Sequence, residues 1–84
     1  MYYVYVLQSE KDGNVYVGYS TDLIRRFKEH NEGKVKSTKS RMPFILAYYE
    51  AYRGKEDATK REYFLKTHQQ RDKLKERLIH SLEN

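Results

Sequence analysis

Two short runs dense in tyrosine and valine, YYVYVLQ (residues 2–8) and NVYVGYS (14–20), flank an Asp-Gly pair at 12–13. Period-two patterning on both sides of an Asp-Gly pair is the strongest short-range signal of a β-hairpin, here a tight one. An antiparallel sheet is therefore the frame on which the rest of the chain must pack. Alternation puts Tyr3, Tyr5 and Leu7 on one face of the first strand and Val4 and Val6 on the other. In the second strand Tyr16 and Gly18 share a face, opposite Val15, Val17 and Tyr19. The question these runs raise is whether their phenols only pack a sheet or also face a reaction.

The period then changes. STDLIRRFKEHNEG (20–33) reads as a helix, with Ser20 or Thr21 as cap, Asp22 suited to the positive N-terminal end, and Gly33 as the stop. A helical wheel puts Leu23, Phe27 and His30 on the buried stripe, Ile24 and Arg26 at its borders, and Arg25 in solvent. Residues 33–43, GKVKSTKSRMP, carry four cations and no acid and read as a loop ended by the only proline. FILAYYEAY (44–52) is a third strand, apolar enough to be central. After Gly54, KEDATKREYFLKTH is a helix on which Ala58, Arg61, Glu62 and Leu65 share a face, and residues 70–82 form a last helix with Leu74, Leu78 and Leu82 in a row. The fold class predicted is α+β: a small three-stranded antiparallel sheet flanked by helices, order ββαβαα, with residues 1–84 as a single domain.

Composition narrows the chemistry. A chain of 84 residues without a cysteine has neither disulfide nor thiolate zinc site to supplement its core. No apolar stretch approaches the roughly 20 residues that span a bilayer, and none reads as a secretory signal, so a soluble cytoplasmic protein is expected. A net charge of +5 favours polyanionic partners. Cysteine nucleophiles, a Gly-rich phosphate loop and His/Asp clusters with zinc spacing are all absent from the sequence.

What remains is a small set of polar groups in apolar company. Glu62 lies between Ala58 and Leu65 on an inward face, where a carboxylate needs a partner. An ion pair with Arg61 or a nearby lysine would satisfy it, and so would a divalent cation, since Mg²⁺ needs only one or two protein carboxylates. Arg26 and His30 are i, i+4 neighbours; Arg26 could cover Phe27 with its stem or clamp a phosphate. Lys34, Lys36, Lys39 and Arg41 would either be solvated or contact a nucleic-acid backbone.

Taken together, VYV at 4–6, YVG at 16–18, DLIRRFKEHN at 22–31 and ATKREYFLK at 58–66 resemble the GIY-YIG nuclease superfamily. The resemblance is to its small stand-alone bacterial branch, related to the N-terminal nuclease domain of the UvrC excinuclease subunit, and it spans almost the whole chain. The first tripeptide lacks the family's glycine here, and residues 70–82 offer no counterpart to a supporting asparagine found in some relatives. The resemblance implies a DNA endonuclease, with RNA as the alternative substrate, acting in repair or recombination with Mg²⁺ or Mn²⁺. A module that binds without cutting, or a nuclease subunit of a larger assembly, are the competing readings. It further implies Tyr5, Tyr16, Arg26, His30 and Glu62 as the catalytic set, with Glu62 as metal ligand. Arg26 would stabilise charge on the phosphate, and Tyr16, supported by Tyr5, would prepare the attacking water unless His30 relays the proton.

Overall fold

The computed structural model describes residues 1–82, with the backbone alone for His68. In chain order the elements are β1 (Tyr2–Ser9), β2 (Val15–Ser20), α1 (Leu23–Asn31), a 3₁₀ turn (Lys39–Arg41), β3 (Phe44–Tyr52), α2 (Lys55–Lys66) and α3 (His68–Arg77). This is the expected ββαβαα order. The sheet is antiparallel throughout and runs β2-β1-β3.

β1, not β3, is the central strand. Its residues from Val4 to Ser9 are all buried, whereas β3 exposes Leu46, Tyr49 and Ala51 on its way along the edge. Apolar content misled the expectation: a strand buried on both faces needs apolar or satisfied residues at every position, and only β1 meets that. The hairpin connection also differs from a tight two-residue turn. It spans residues 10–14, because the Ser9 hydroxyl accepts from the backbone N–H of Lys11 and of Asp12 and props the loop open. Gly13 then takes a left-handed φ of 75°.

The two sheet faces are covered differently. Val4, Val6, Val15 and Val17 pack under Ala58 and Leu65 of α2 and Leu74 of α3. Full burial of one valine or leucine side chain stabilises by about 1.5–3 kcal/mol, so this face carries most of the fold's hydrophobic stabilisation. On the other face Tyr5, Leu7 and Phe44 meet Leu23 and Phe27 of α1. Asp22, rather than Ser20 or Thr21, caps α1 by accepting from the Arg25 N–H. The helix closes in a Schellman arrangement: Gly33 N–H donates to the His30 carbonyl and Lys34 N–H to that of Glu29, with Gly33 at φ 73°. α3 starts two residues before the predicted boundary and ends at Arg77, while Leu78 and Leu82 still pack against the core from the following turns. No helix among the described residues is long and apolar enough to cross a membrane.

α2 is fixed in rotation by an ion pair. Arg61 donates to both Glu50 oxygens on β3, Nε at 2.9 Å and Nη2 at 3.1 Å, and the hydroxyls of Tyr48 and Tyr52 donate to the same carboxylate. A planar two-point contact of this kind sets orientation as well as energy. The next residue, about 100° further round the helix, is Glu62.

Candidate active site

The site begins with a side chain that is missing. Gly18 of β2 sits directly across from Tyr5 of β1. A Cβ at Gly18 would fall inside the Tyr5 ring, 2.7 Å from Cε1 and closer still to Cζ. With only hydrogen there, the ring lies across the neighbouring strand and its hydroxyl reaches α1. Tyr5 is 1% exposed, so the strand tyrosine is core along its ring and polar at its tip.

That tip starts a buried hydrogen-bond chain. Tyr5 Oη is 2.8 Å from His30 Nε2. His30 Nδ1 is 2.8 Å from Thr38 Oγ1, and Thr38 Oγ1 donates to the Val35 carbonyl at 3.4 Å. His30 and Thr38 are completely buried. The tautomer follows from the Thr38 end of the chain. The Val35 carbonyl can only accept, so Thr38 must accept from His30 Nδ1–H. With the proton on Nδ1, Nε2 is left as the acceptor at the other end of the chain. The Tyr5 proton is thereby directed to Nε2.

Burial pushes the Tyr5 hydroxyl up to about 12, against the opposing pull of Arg26. Burial, followed by the charge of Arg26, holds His30 down at about 4. At neutral pH both rings are uncharged and the proton stays on Tyr5. A histidine depressed in the native state is matched by stability that is complete above its unfolded value, near 6.5, and is lost as pH falls through about 4. The expected loss is on the order of 3 kcal/mol. Urea unfolding from pH 7 to pH 4 should show it, and His30→Gln should flatten that part of the profile whatever its stability at pH 7.

Arg26 is placed differently from its neighbour. Its side chain is 38% exposed, with Nη1 3.4 Å from Glu29 Oε1. Burial works against its charge, but interaction with Tyr5 and with Glu29 more than compensates and raises its pKa. Arg25 is 67% exposed and reaches only Asp22, at 4.0 Å. The wheel assignment of an inner and an outer arginine matches this placement.

Glu62 arrives from α2. Its Oε2 is 3.0 Å from Lys66 Nζ, the residue one turn on, and 22% of its side chain remains exposed. The pairing is with a lysine, Arg61 being taken by Glu50. Lys66 Nζ also stands 5.9 Å from the centroid of the Tyr16 ring. Tyr16, half-buried, meets His30 edge-on on its inner side, with centroids 5.2 Å apart. The β2 edge thus brings together Tyr16, Arg26, Glu62 and Lys66 at the surface, with Tyr5, His30 and Thr38 behind them.

Two of these residues escaped sequence reasoning. Lys66 had a legible signal, its i, i+4 spacing from Glu62. Thr38 had none, because a polar loop residue without a period gives no hint of being buried. The loop cations do not converge: Lys34 pairs with Glu32 at 3.4 Å, Lys36 and Lys39 are exposed, and Arg41 turns to Asp12 at 2.9 Å. Among the described residues no group of three or more His, Cys, Asp or Glu side chains could hold a metal. A single partly exposed carboxylate, Glu62, still fits Mg²⁺, which needs only one or two protein carboxylates and keeps several waters.

Residues 1–76 match the GIY-YIG catalytic domain. The chain is 43% identical over 75 residues to the UPF0213 protein SH2523 of Staphylococcus haemolyticus, covering 88% of this chain and 90% of the relative. It is 44% identical, with the same coverage, to the UPF0213 protein SERP0126 of Staphylococcus epidermidis. Its structure resembles the solution NMR structure of the UPF0213 protein BH0048 from Bacillus halodurans, with a TM-score of 0.55, 41% identity, and coverage of 88% of this chain and 82% of that one.

Proposed function

The chain belongs to the GIY-YIG catalytic domain family, which implies nuclease activity, and from that premise we propose a divalent-metal-dependent DNA endonuclease, acting in repair or recombination, with its site at the β2 edge. The observation that carries this reading is the convergence of a guanidinium, a carboxylate and a solvent-facing phenol from three separate elements on one edge, backed by a buried hydrogen-bond chain.

Phosphodiester hydrolysis requires an aligned water, stabilisation of the charge that grows on the phosphate oxygens, and help for the leaving 3′ oxygen. Glu62 would hold the metal, which when bound supplies Lewis-acid polarisation of the phosphate and charge at the leaving oxygen. Arg26 donates to a non-bridging oxygen, where negative charge increases in the transition state. Tyr16, unlike Tyr5, is only half-buried, and its hydroxyl oxygen would accept from the attacking water and orient it. Tyr5 and His30 are fully buried, so they act as positioning residues: Tyr5 and Arg26 interact electrostatically, and His30 holds Tyr5. Lys34, Lys36 and Lys39 add long-range attraction for the DNA backbone.

The direct test is incubation of the pure protein with supercoiled, branched and single-stranded DNA, and with RNA, in Mg²⁺, Mn²⁺ or EDTA. Cleavage of DNA with either metal and none in EDTA is expected. Tight binding without cleavage in every condition would replace the nuclease with a binding module.

Thr38 supplies a second check. Thr38→Val leaves the His30 Nδ1–H without a buried acceptor, which costs about 1–3 kcal/mol, and frees the imidazole to change tautomer. Nitrogen chemical shifts should report a protonated Nδ1 in the wild type and in Thr38→Ser, and a mixture in Thr38→Val. Unchanged shifts in the valine variant would remove Thr38 from the chain.

A further inference from the structure

A second cluster of cations lies around the start of β2, outside the site described above. Arg71 and Lys75 of α3 and Arg41 from the 3₁₀ turn face a groove of about 260 Å³ that is also lined by Asn14, Val15 and Asp72. We propose that this groove is a second phosphate subsite, which holds a backbone phosphate of the DNA a short distance from the scissile one. The proposal rests on the nuclease reading and deepens it.

Four observations support it. First, the charge is one-sided: three cations face one carboxylate, Asp72. Second, the cations are carried on anchored elements, and Lys75 Nζ reaches Asn14 Oδ1 of the groove wall at 3.5 Å. Leu74, between Arg71 and Lys75 in sequence, is 3% exposed and anchors α3 to the core, while i, i+4 spacing puts the two cations on one side of the helix. Arg41 donates through Nε and Nη2 to Asp12, at 2.9 and 3.4 Å, which uses two of its five N–H groups and leaves the others for an anion. Third, the volume is below the roughly 300–1,000 Å³ of small-molecule pockets, which suits one phosphate of a passing chain better than an enclosed ligand. Fourth, Val15 forms part of the groove wall and the next residue, Tyr16, stands in the site, so one stretch of edge strand joins the two.

Arg71 and Lys75 are exposed, so they can be changed without disturbing the core, whereas Arg41 is tied to the hairpin and is left intact. Binding of a short duplex is measured in EDTA across a range of salt. Arg71→Ala/Lys75→Ala is expected to weaken binding and to lower the slope of log affinity against log salt by roughly 0.9 for each phosphate no longer neutralised. Asp72→Asn should move affinity the other way. Duplexes with a neutral methylphosphonate at single positions beside the scissile phosphate should bind the wild type less well at one position, and that penalty should vanish in the double variant. An unchanged salt slope, or a methylphosphonate penalty equal in wild type and variant, overturns the subsite while leaving the nuclease reading standing. A wild type that binds no duplex at all overturns both.

Discussion

Glu62→Gln is expected to abolish cleavage while leaving fold and DNA affinity close to wild type. The amide keeps the shape of the side chain but removes the charge that a hard cation requires. Lewis-acid stabilisation is worth several kcal/mol of transition-state energy, so the rate of a single turnover should fall by about 10³-fold or more. Stability should hardly respond. The ion pair that the substitution removes is the partly exposed i, i+4 pair with Lys66, and such pairs contribute roughly 0.3–0.5 kcal/mol. Urea midpoints and duplex binding in EDTA separate these effects from catalysis. A variant that cuts normally in Mg²⁺ would take the metal away from Glu62.

The contrast between the two adjacent arginines is the second large effect. Arg26→Ala should lower the single-turnover rate by about 10²–10³, the usual consequence of removing one donor to developing negative charge. Its cost in stability should be small, since the ion pair it removes is the partly exposed i, i+3 pair with Glu29. Arg25→Ala removes a side chain that is 67% exposed and only 4.0 Å from its nearest acid, and its effect should be confined to a modest rise in Kd that salt suppresses. Equal falls in rate for both variants would contradict the placement of Arg26 against Tyr5.

Much of this site could be read in the sequence because it rests on periodicity. Alternation grouped Tyr5 with Leu7 on one strand and Tyr16 with Gly18 on the next, and a 3.6-residue period separated Arg26 from Arg25. Both follow from backbone geometry alone. The sites of failure were those decided by tertiary partners. β3 looked central by apolar content, yet β1 is the strand with helices over both faces. The hairpin loop was widened by one hydroxyl, that of Ser9, whose competition with the backbone has no composition signal. Thr38 lies in a segment whose other polar residues are mostly exposed, and only the fold reveals that its hydroxyl is enclosed beneath α1.

The groups at the β2 edge come from β1, β2, α1, the loop after it and α2, and the stretch from Tyr5 to Lys66 contains them all. No fragment that forms by itself, neither the hairpin nor a helix, holds more than a portion of the set. With the proposed site, turnover should be confined to molecules in which the hairpin, α1 and α2 are assembled, and partly folded forms should be catalytically silent. At the bench this makes the rate of cleavage a direct measure of the native fraction, so thermal inactivation and loss of tertiary structure should trace one curve.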